Sequence, residues 1–246
     1  MNALKPLAAT TLLTLASLVG VAHAQTAYGN PWDFFAEQAQ DQAAEPDAAE
    51  ADLEFLTFLA DSGDVEGQLL LGRSYLQGIY SPVDTKQARH WLEKAYNAGS
   101  PQAASFLSVI YLEGAGVQKD MKKAAKYAEV AANNGIALAQ LNLGLMYQRG
   151  VGKEINEKKA VAWWRKAAIQ RDPDAMHYLA LAHSTGAGTA VDPVKALAWA
   201  KTAVLVSVNG NGSTVEELAV KLSQADQEKA YALAKMCASS DMKNCP

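Results

Sequence analysis

A repeat of 36 residues constrains this chain more than any other feature. Residues 64–99, 100–135, 136–171 and 172–207 align one above another without a gap. Their fourth positions are Gly67, Ala103, Ala139 and Ala175, and their eighth are Leu71, Leu107, Leu143 and Leu179. The twelfth are Tyr75, Tyr111, Tyr147 and His183, and the fifteenth are Gly78, Gly114, Gly150 and Gly186. Later in each block come Ala88, Ala124, Ala160 and Ala196, then Trp91, Tyr127, Trp163 and Trp199, then Ala95, Ala131, Ala167 and Ala203. A period of this length marks an array in which each unit buries its apolar face only by stacking on its neighbours.

One block reads as a helical hairpin. A small residue, Leu and Tyr at positions four, eight and twelve share one face of a 3.6-residue helix. The glycine pairs Gly150-Gly152 and Gly186-Gly188 end that helix, because glycine accepts the positive φ of a C-cap. Asp84, Asp120, Asn156 and Asp192 then stand where the second helix needs an N-cap. The spacing therefore predicts an all-α, right-handed α-solenoid whose hairpins start at Asp64, Ser100, Ile136 and Asp172. The leucines and aromatics are packing residues, and Trp163→Ala is expected to have the large cost of an emptied core position.

The pattern Ala-x-x-x-Leu-Gly-x-x-Tyr-x-x-Gly-x-Gly, followed by Lys-x-Ala-x-x-Trp-x-x-Lys-Ala-Ala, resembles the Sel-one-like repeat, a relative of the tetratricopeptide repeat. Block three carries it most fully, through Ala139, Leu143, Gly144, Tyr147, Gly150, Gly152, Lys159, Ala160, Trp163, Lys166, Ala167 and Ala168. Block one departs at Tyr80, block two at Ser108 and block four at His183. The resemblance implies a non-enzymatic protein-binding scaffold: an adaptor, a regulator or, as in some exported relatives, an immunity protein. It also implies, by analogy with tetratricopeptide repeats, that the first helix of each hairpin lines a concave side. That side then presents Leu69, Arg73 and Leu76, Val109 and Leu112, Leu141, Leu145 and Arg149, and His177 and Leu181. Mostly aliphatic with spaced cations, it suits a protein or peptide partner with apolar anchors and some acid. The plainer expectation is tighter curvature that buries these leucines among themselves.

The flanks differ from the array. Residues 1–24 read as a signal peptide: Lys5, an apolar stretch over 7–21, then Ala22-His23-Ala24 as a cleavage site. This predicts an exported protein, periplasmic in a bacterium, without a transmembrane segment and monomeric. Residues 25–51 form an acidic, partly disordered leader around the island Trp32-Asp33-Phe34-Phe35. From 25 to 67 there are 11 acidic residues and no Lys or Arg, although the formal charge of the whole chain is only −4. Such a leader is complementary to Arg73 and Arg149, and either docks on the concave side or serves only as a solubilising tail. Residues 52–63 match the second helix of a block, with Phe55 in the aromatic slot, and form an N-terminal cap. Residues 208–246 supply C-terminal capping helices, with starts at Ser213 and Ser223. Cys237 and Cys245 are the only cysteines, and an oxidising compartment joins them as a disulfide that ties down the tail.

Chemistry is sparse. His90, His177 and His183 are the histidines outside the signal peptide, and no metal motif, phosphate loop or Cys-x-x-Cys pair accompanies them. No cofactor and no catalytic residue are expected. Ser240-Asp241-Met242-Lys243 has the Ser-x-x-Lys spacing of penicillin-binding enzymes, and some cysteine-rich relatives within the repeat family are linked to penicillin binding. A cell-wall or β-lactam enzyme is therefore the alternative reading, but Lys201-Thr202 continues with Ala203 rather than glycine. Lys119, Lys122, Lys123 and Lys126 lack the interleaved aromatics of a nucleic-acid site, so no nucleic-acid partner is expected.

Overall fold

The computed structural model describes residues 46–207, 212–240, 242 and 245. The segment read as a signal peptide, the Trp32 island and the turn before the last two helices lie outside the described residues. Within them the chain is helical throughout, with α1 at Pro46–Asp61 preceding four hairpins. The hairpins are α2 and α3 (Val65–Gln77, Thr85–Asn97), α4 and α5 (Pro101–Glu113, Met121–Asn133), α6 and α7 (Ala137–Arg149, Glu157–Ile169), and α8 and α9 (Pro173–Thr185, Pro193–Val206). Two further helices, α10 (Gly212–Ala219) and α11 (Gln224–Ser239), complete the order. Each helix packs on the next through α9, and α11 then returns onto α9. The result is an α-solenoid.

Local chemistry fixes the register. Asp64, Ser100 and Asp172 are the N-caps of α2, α4 and α8, each accepting a backbone N–H three residues on. Ile136 holds the same place before α6 without a side-chain bond. Asp84, Asp120, Asn156 and Asp192 cap the second helices in the same way, with N–H to oxygen distances of 2.9–3.0 Å. These bonds satisfy donors that a helix start leaves unpaired. The fifteenth-position glycines close the first helices in the left-handed conformation, with φ of 70° to 83°.

Packing inside each hairpin follows a size rule absent from the repeat pattern. The ninth position faces the twenty-ninth across the hairpin. A Cβ on Gly72 would lie 2.7 Å from Leu92 Cγ, and one on Gly144 would collide with the Trp164 indole. In blocks two and four the ninth residue is Ser108 or Ala180, and the opposing residue shrinks to Ala128 or Ala200. Glycine is thus needed where the opposite side chain is large. This also corrects one expectation. Trp164, only 2% exposed, is the core indole of block three, whereas Trp163 is half-buried with Lys166 Nζ 3.8 Å above its ring. The two adjacent residues point about 100° apart around α7, and Gly144 makes room for only one of them.

The seams between hairpins use another glycine. A Cβ on Gly116 would strike Thr85, one on Gly152 would overlap the Met121 carbonyl, and one on Gly188 would overlap that of Glu157. Each loop therefore lies directly on the first residue of the preceding second helix.

The ends are covered. Leu53 and Leu56 of α1 pack on a cluster of Ala60, Leu71 and Trp91. The helix begins at Pro46, earlier than the expected residue 52, because proline fits a first helical turn, where its missing N–H costs nothing. Phe55 is 60% exposed, so the aromatic slot of this half-block is not a core position. At the other end Ala230 and Leu233 of α11 cover Leu197 and Ala198, with Val215 and Leu218 of α10 beside them. Ser223 caps α11 through the Asp226 N–H, as expected from sequence.

Cys237 and Cys245 are joined as a disulfide, with Cα atoms 5.1 Å apart. Cys237 is buried, and the bridge holds Cys245 at the end of α11. The loop-entropy relation gives about 2.5 kcal/mol for so short a loop. Reduction should lower the unfolding free energy by about that amount and should leave Cys237→Ser unaffected; a reductant effect of equal size in both proteins would assign it to something else. Arg171 supplies a second tie. Its guanidinium donates to the Ala238 carbonyl at 3.3 Å, near the C-terminus of α11, where a cation is favoured. Arg171 adopts φ of 69°, in the slot that glycine fills at Gly63, Gly99 and Gly135.

Candidate protein-binding face

The first helices of the four hairpins form one row, and α2 also touches α4, two elements along. The ten residues expected to line the concave side divide in three. Leu69, Leu76, Val109 and Leu141 are 5–6% exposed, so they fill space between helices and present almost nothing to a partner. Arg73, Leu112, Leu145 and His177 are half-buried, while Arg149 and Leu181 are exposed. The accessible set is therefore weighted toward α6 and α8, where Leu145, Arg149, His177 and Leu181 occupy neighbouring hairpins.

Electrostatics on α8 comes from one short cluster. Burial pushes the His177 imidazole below its ordinary value, and Asp174 beside it partly restores it. Burial raises the Asp174 carboxyl, with His177 opposing. Behind them Tyr178 stacks on Trp164 with ring centroids 5.0 Å apart, which anchors this part of the face to the core of block three. Arg149 forms no ion pair among the described residues. Arg149 can therefore meet an acidic group without first breaking an ion pair among the described residues.

His183 belongs to packing. It is 3% exposed, and its Nδ1 lies 3.4 Å from the Ala190 carbonyl. Burial lowers its pKa; the Ala190 carbonyl and Asp192 oppose that, while Lys195 and Arg165 add to it. A lowered folded-state pKa means that the unfolded chain takes the proton first. Stability is therefore complete above the ordinary histidine value of 6.5 and falls as pH drops below it. His177 acts in the same direction. Thermal melts between about pH 7.5 and 5 should show this loss, and His183→Tyr, which restores the tyrosine of the other blocks, should reduce its size. An undiminished loss in that variant would exclude His183 as its source.

Ser240, the serine of the Ser-x-x-Lys spacing, is the C-cap of α11 rather than the start of a helix, and Lys243 lies outside the described residues. Among the described residues no group of three His, Cys, Asp or Glu is placed to hold a metal. No helix there is long and apolar enough to cross a membrane.

The profile of the Sel1 repeat matches residues 65–100, 101–136, 137–172 and 173–204, more than half of the chain, in the register set by the N-caps. The chain belongs to the Sel1 repeat family. A solved structure of a protective antigen from uropathogenic Escherichia coli, displaying an SLR fold, superposes with a TM-score of 0.73 at 30% identity. That match covers 82% of this chain but only 43% of the antigen, so this chain spans less than half the antigen's length. A Sel1 repeat protein from Oxalobacter formigenes is 38% identical over 52% of this chain and 96% of its own, with a TM-score of 0.48. An immunity protein from Pseudomonas aeruginosa matches at 16% identity over 90% of this chain and 88% of its own; its TM-score of 0.35 carries no functional weight. No curated protein matches the chain.

Sequence reasoning found the Sel1 register but missed which of the first-helix residues are buried and which exposed. It also missed Trp164, for which Gly144 was the available signal.

Proposed function

We propose that this Sel1 repeat protein is a non-enzymatic binding scaffold that works after export, as an adaptor, a regulator or an immunity-type partner. Sel1 repeat proteins are generally protein-interaction scaffolds, and the accessible part of the inner row supports that reading here. The observation that carries it is the exposure of Leu181 and Arg149 beside half-buried Leu145 and His177 on consecutive first helices. Apolar anchors among cations suit an amphipathic or extended peptide with acidic residues. The disulfide supports an oxidising compartment.

The test is affinity capture from the exported fraction with the wild-type protein and with Leu145→Asp/Leu181→Asp. Both positions face water in part, so the helical content and melting temperature should change little. A protein retained by the wild type and lost with the variant is the expected result; identical captures would overturn the reading. Exposure to a labelled β-lactam separates the enzyme alternative, since a covalent adduct on Ser240 would replace the scaffold reading.

A further inference from the structure

Block one differs from the others at its outer edge. In blocks two to four the seventeenth residue is Gly116, Gly152 or Gly188, pressed against Thr85, Met121 or Glu157 of the preceding hairpin. In block one that residue is Tyr80, and the preceding helix is α1. Tyr80 there stands on the wall of a cavity. The cavity, of about 210 Å³, opens between α1, α2 and the loop after α2, with Phe55, Leu56, Leu70 and Ile79 as apolar walls.

Three further departures coincide at this cavity. Ser74 occupies the eleventh position, which is Ile110, Met146 or Ala182 in the other blocks, all buried. It is 1% exposed, and its hydroxyl finds no hydrogen-bond partner among the described residues. A buried hydroxyl is normally satisfied, so this one is open to a group that the described residues do not supply. Arg73 lines the same cavity and makes no ion pair among the described residues, in a slot that is Val109, Leu145 or Leu181 elsewhere. Phe55 is exposed where Trp91, Tyr127 and Trp199 are buried. One carboxylate, Asp52, also lies on the lining.

Small-molecule sites usually enclose about 300–1,000 Å³, so this cavity is undersized for a cofactor and suited to a single side chain. We infer that it takes one aromatic side chain of a partner peptide, with the adjacent carboxylate on Arg73 and a peptide N–H donated to Ser74 Oγ. Phe55 and Leu56 hold the ring, and Asp52 turns the carboxylate toward Arg73. This rests on the scaffold reading and deepens it by naming the chemistry of one anchor.

The experiment is a titration of the isotope-labelled full chain, followed by NMR. The probes are acetyl-Phe-Asp-amide, acetyl-Phe-Asn-amide and acetyl-Ala-Asp-amide. Shifts confined to residues 52–56 and 70–80 are expected, with the latter two peptides at least about tenfold weaker. Arg73→Gln should bring the Asp peptide down to the level of the Asn peptide, and Asp52→Asn should strengthen it about threefold. Tyr80→Gly with Ser74→Ile gives block one the residues of block two and should abolish binding. If that variant fails to fold, the two charge variants still decide the matter. Equal affinity for the three peptides, or no shift over 70–80 at about 10 mM, would overturn the inference. Shifts only at Leu145, Arg149 and Leu181 would overturn it while leaving the scaffold reading standing. Loss of partner capture on changing Leu145 and Leu181 tests that reading alone.

Discussion

Trp164→Ala should lose about 3–5 kcal/mol of stability, the cost of deleting a large buried aromatic. Trp163→Ala, one residue earlier, should lose only about 1 kcal/mol, because its ring is half-buried, with Lys166 over one face. Gly144→Ala places a methyl group on the Trp164 indole, and overpacking of that kind costs about 1–3 kcal/mol. The informative protein is the double variant. Gly144→Ala with Trp164→Ala recreates the alanine pair that block four uses at Ala180 and Ala200. It should therefore be more stable than the sum of the single losses by at least about 1 kcal/mol. Chemical denaturation of the four proteins measures this directly. Strict additivity would show that residues nine and twenty-nine are not a packing pair.

Gly152→Ala should be damaging in a different way, by separating two hairpins. Gly152 has φ of 64°, which costs an L-residue about 1–2 kcal/mol. The added methyl group must also displace the Met121 carbonyl, and backbone has no rotamer by which to yield. The combined loss is about 3 kcal/mol or more. Gly135→Ala is the control. Its φ of 87° is equally left-handed, but a Cβ there meets nothing within 4 Å. It should lose only the backbone part, and a loss as large as that of Gly152→Ala would remove contact from the explanation.

The features that were legible in the sequence are those decided within a few residues. Asp84, Asp120, Asn156 and Asp192 cap helices because their oxygens reach a backbone N–H two or three residues away. Glycine at position fifteen likewise reports a local backbone angle. Leu69, Leu76, Val109 and Leu141 were harder to judge, because their burial depends on how closely successive first helices approach. No single hairpin encodes that distance. The Trp163 and Trp164 choice fell between these cases: the deciding residue, Gly144, is local in space but twenty positions earlier in the chain. Sequence reasoning recognised Tyr80 and Ser108 as departures from the pattern but not what each one did. Ser108 matches a small partner, whereas Tyr80 lines a cavity beside α1.

The size rule between positions nine and twenty-nine has a consequence for building with these parts. The unit that can be moved is the hairpin, not the helix. A chimera joined in the loop between α4 and α5, with α7 grafted after α4, would set Trp164 against Ser108 and have no room for the indole. The same graft made at Gly135, between hairpins, carries Gly144 and Trp164 together and keeps their fit. Arrays of this kind should therefore tolerate shuffling, duplication and deletion at the junctions after second helices. Exchanges that cut a hairpin in half should be tolerated only where both halves are small.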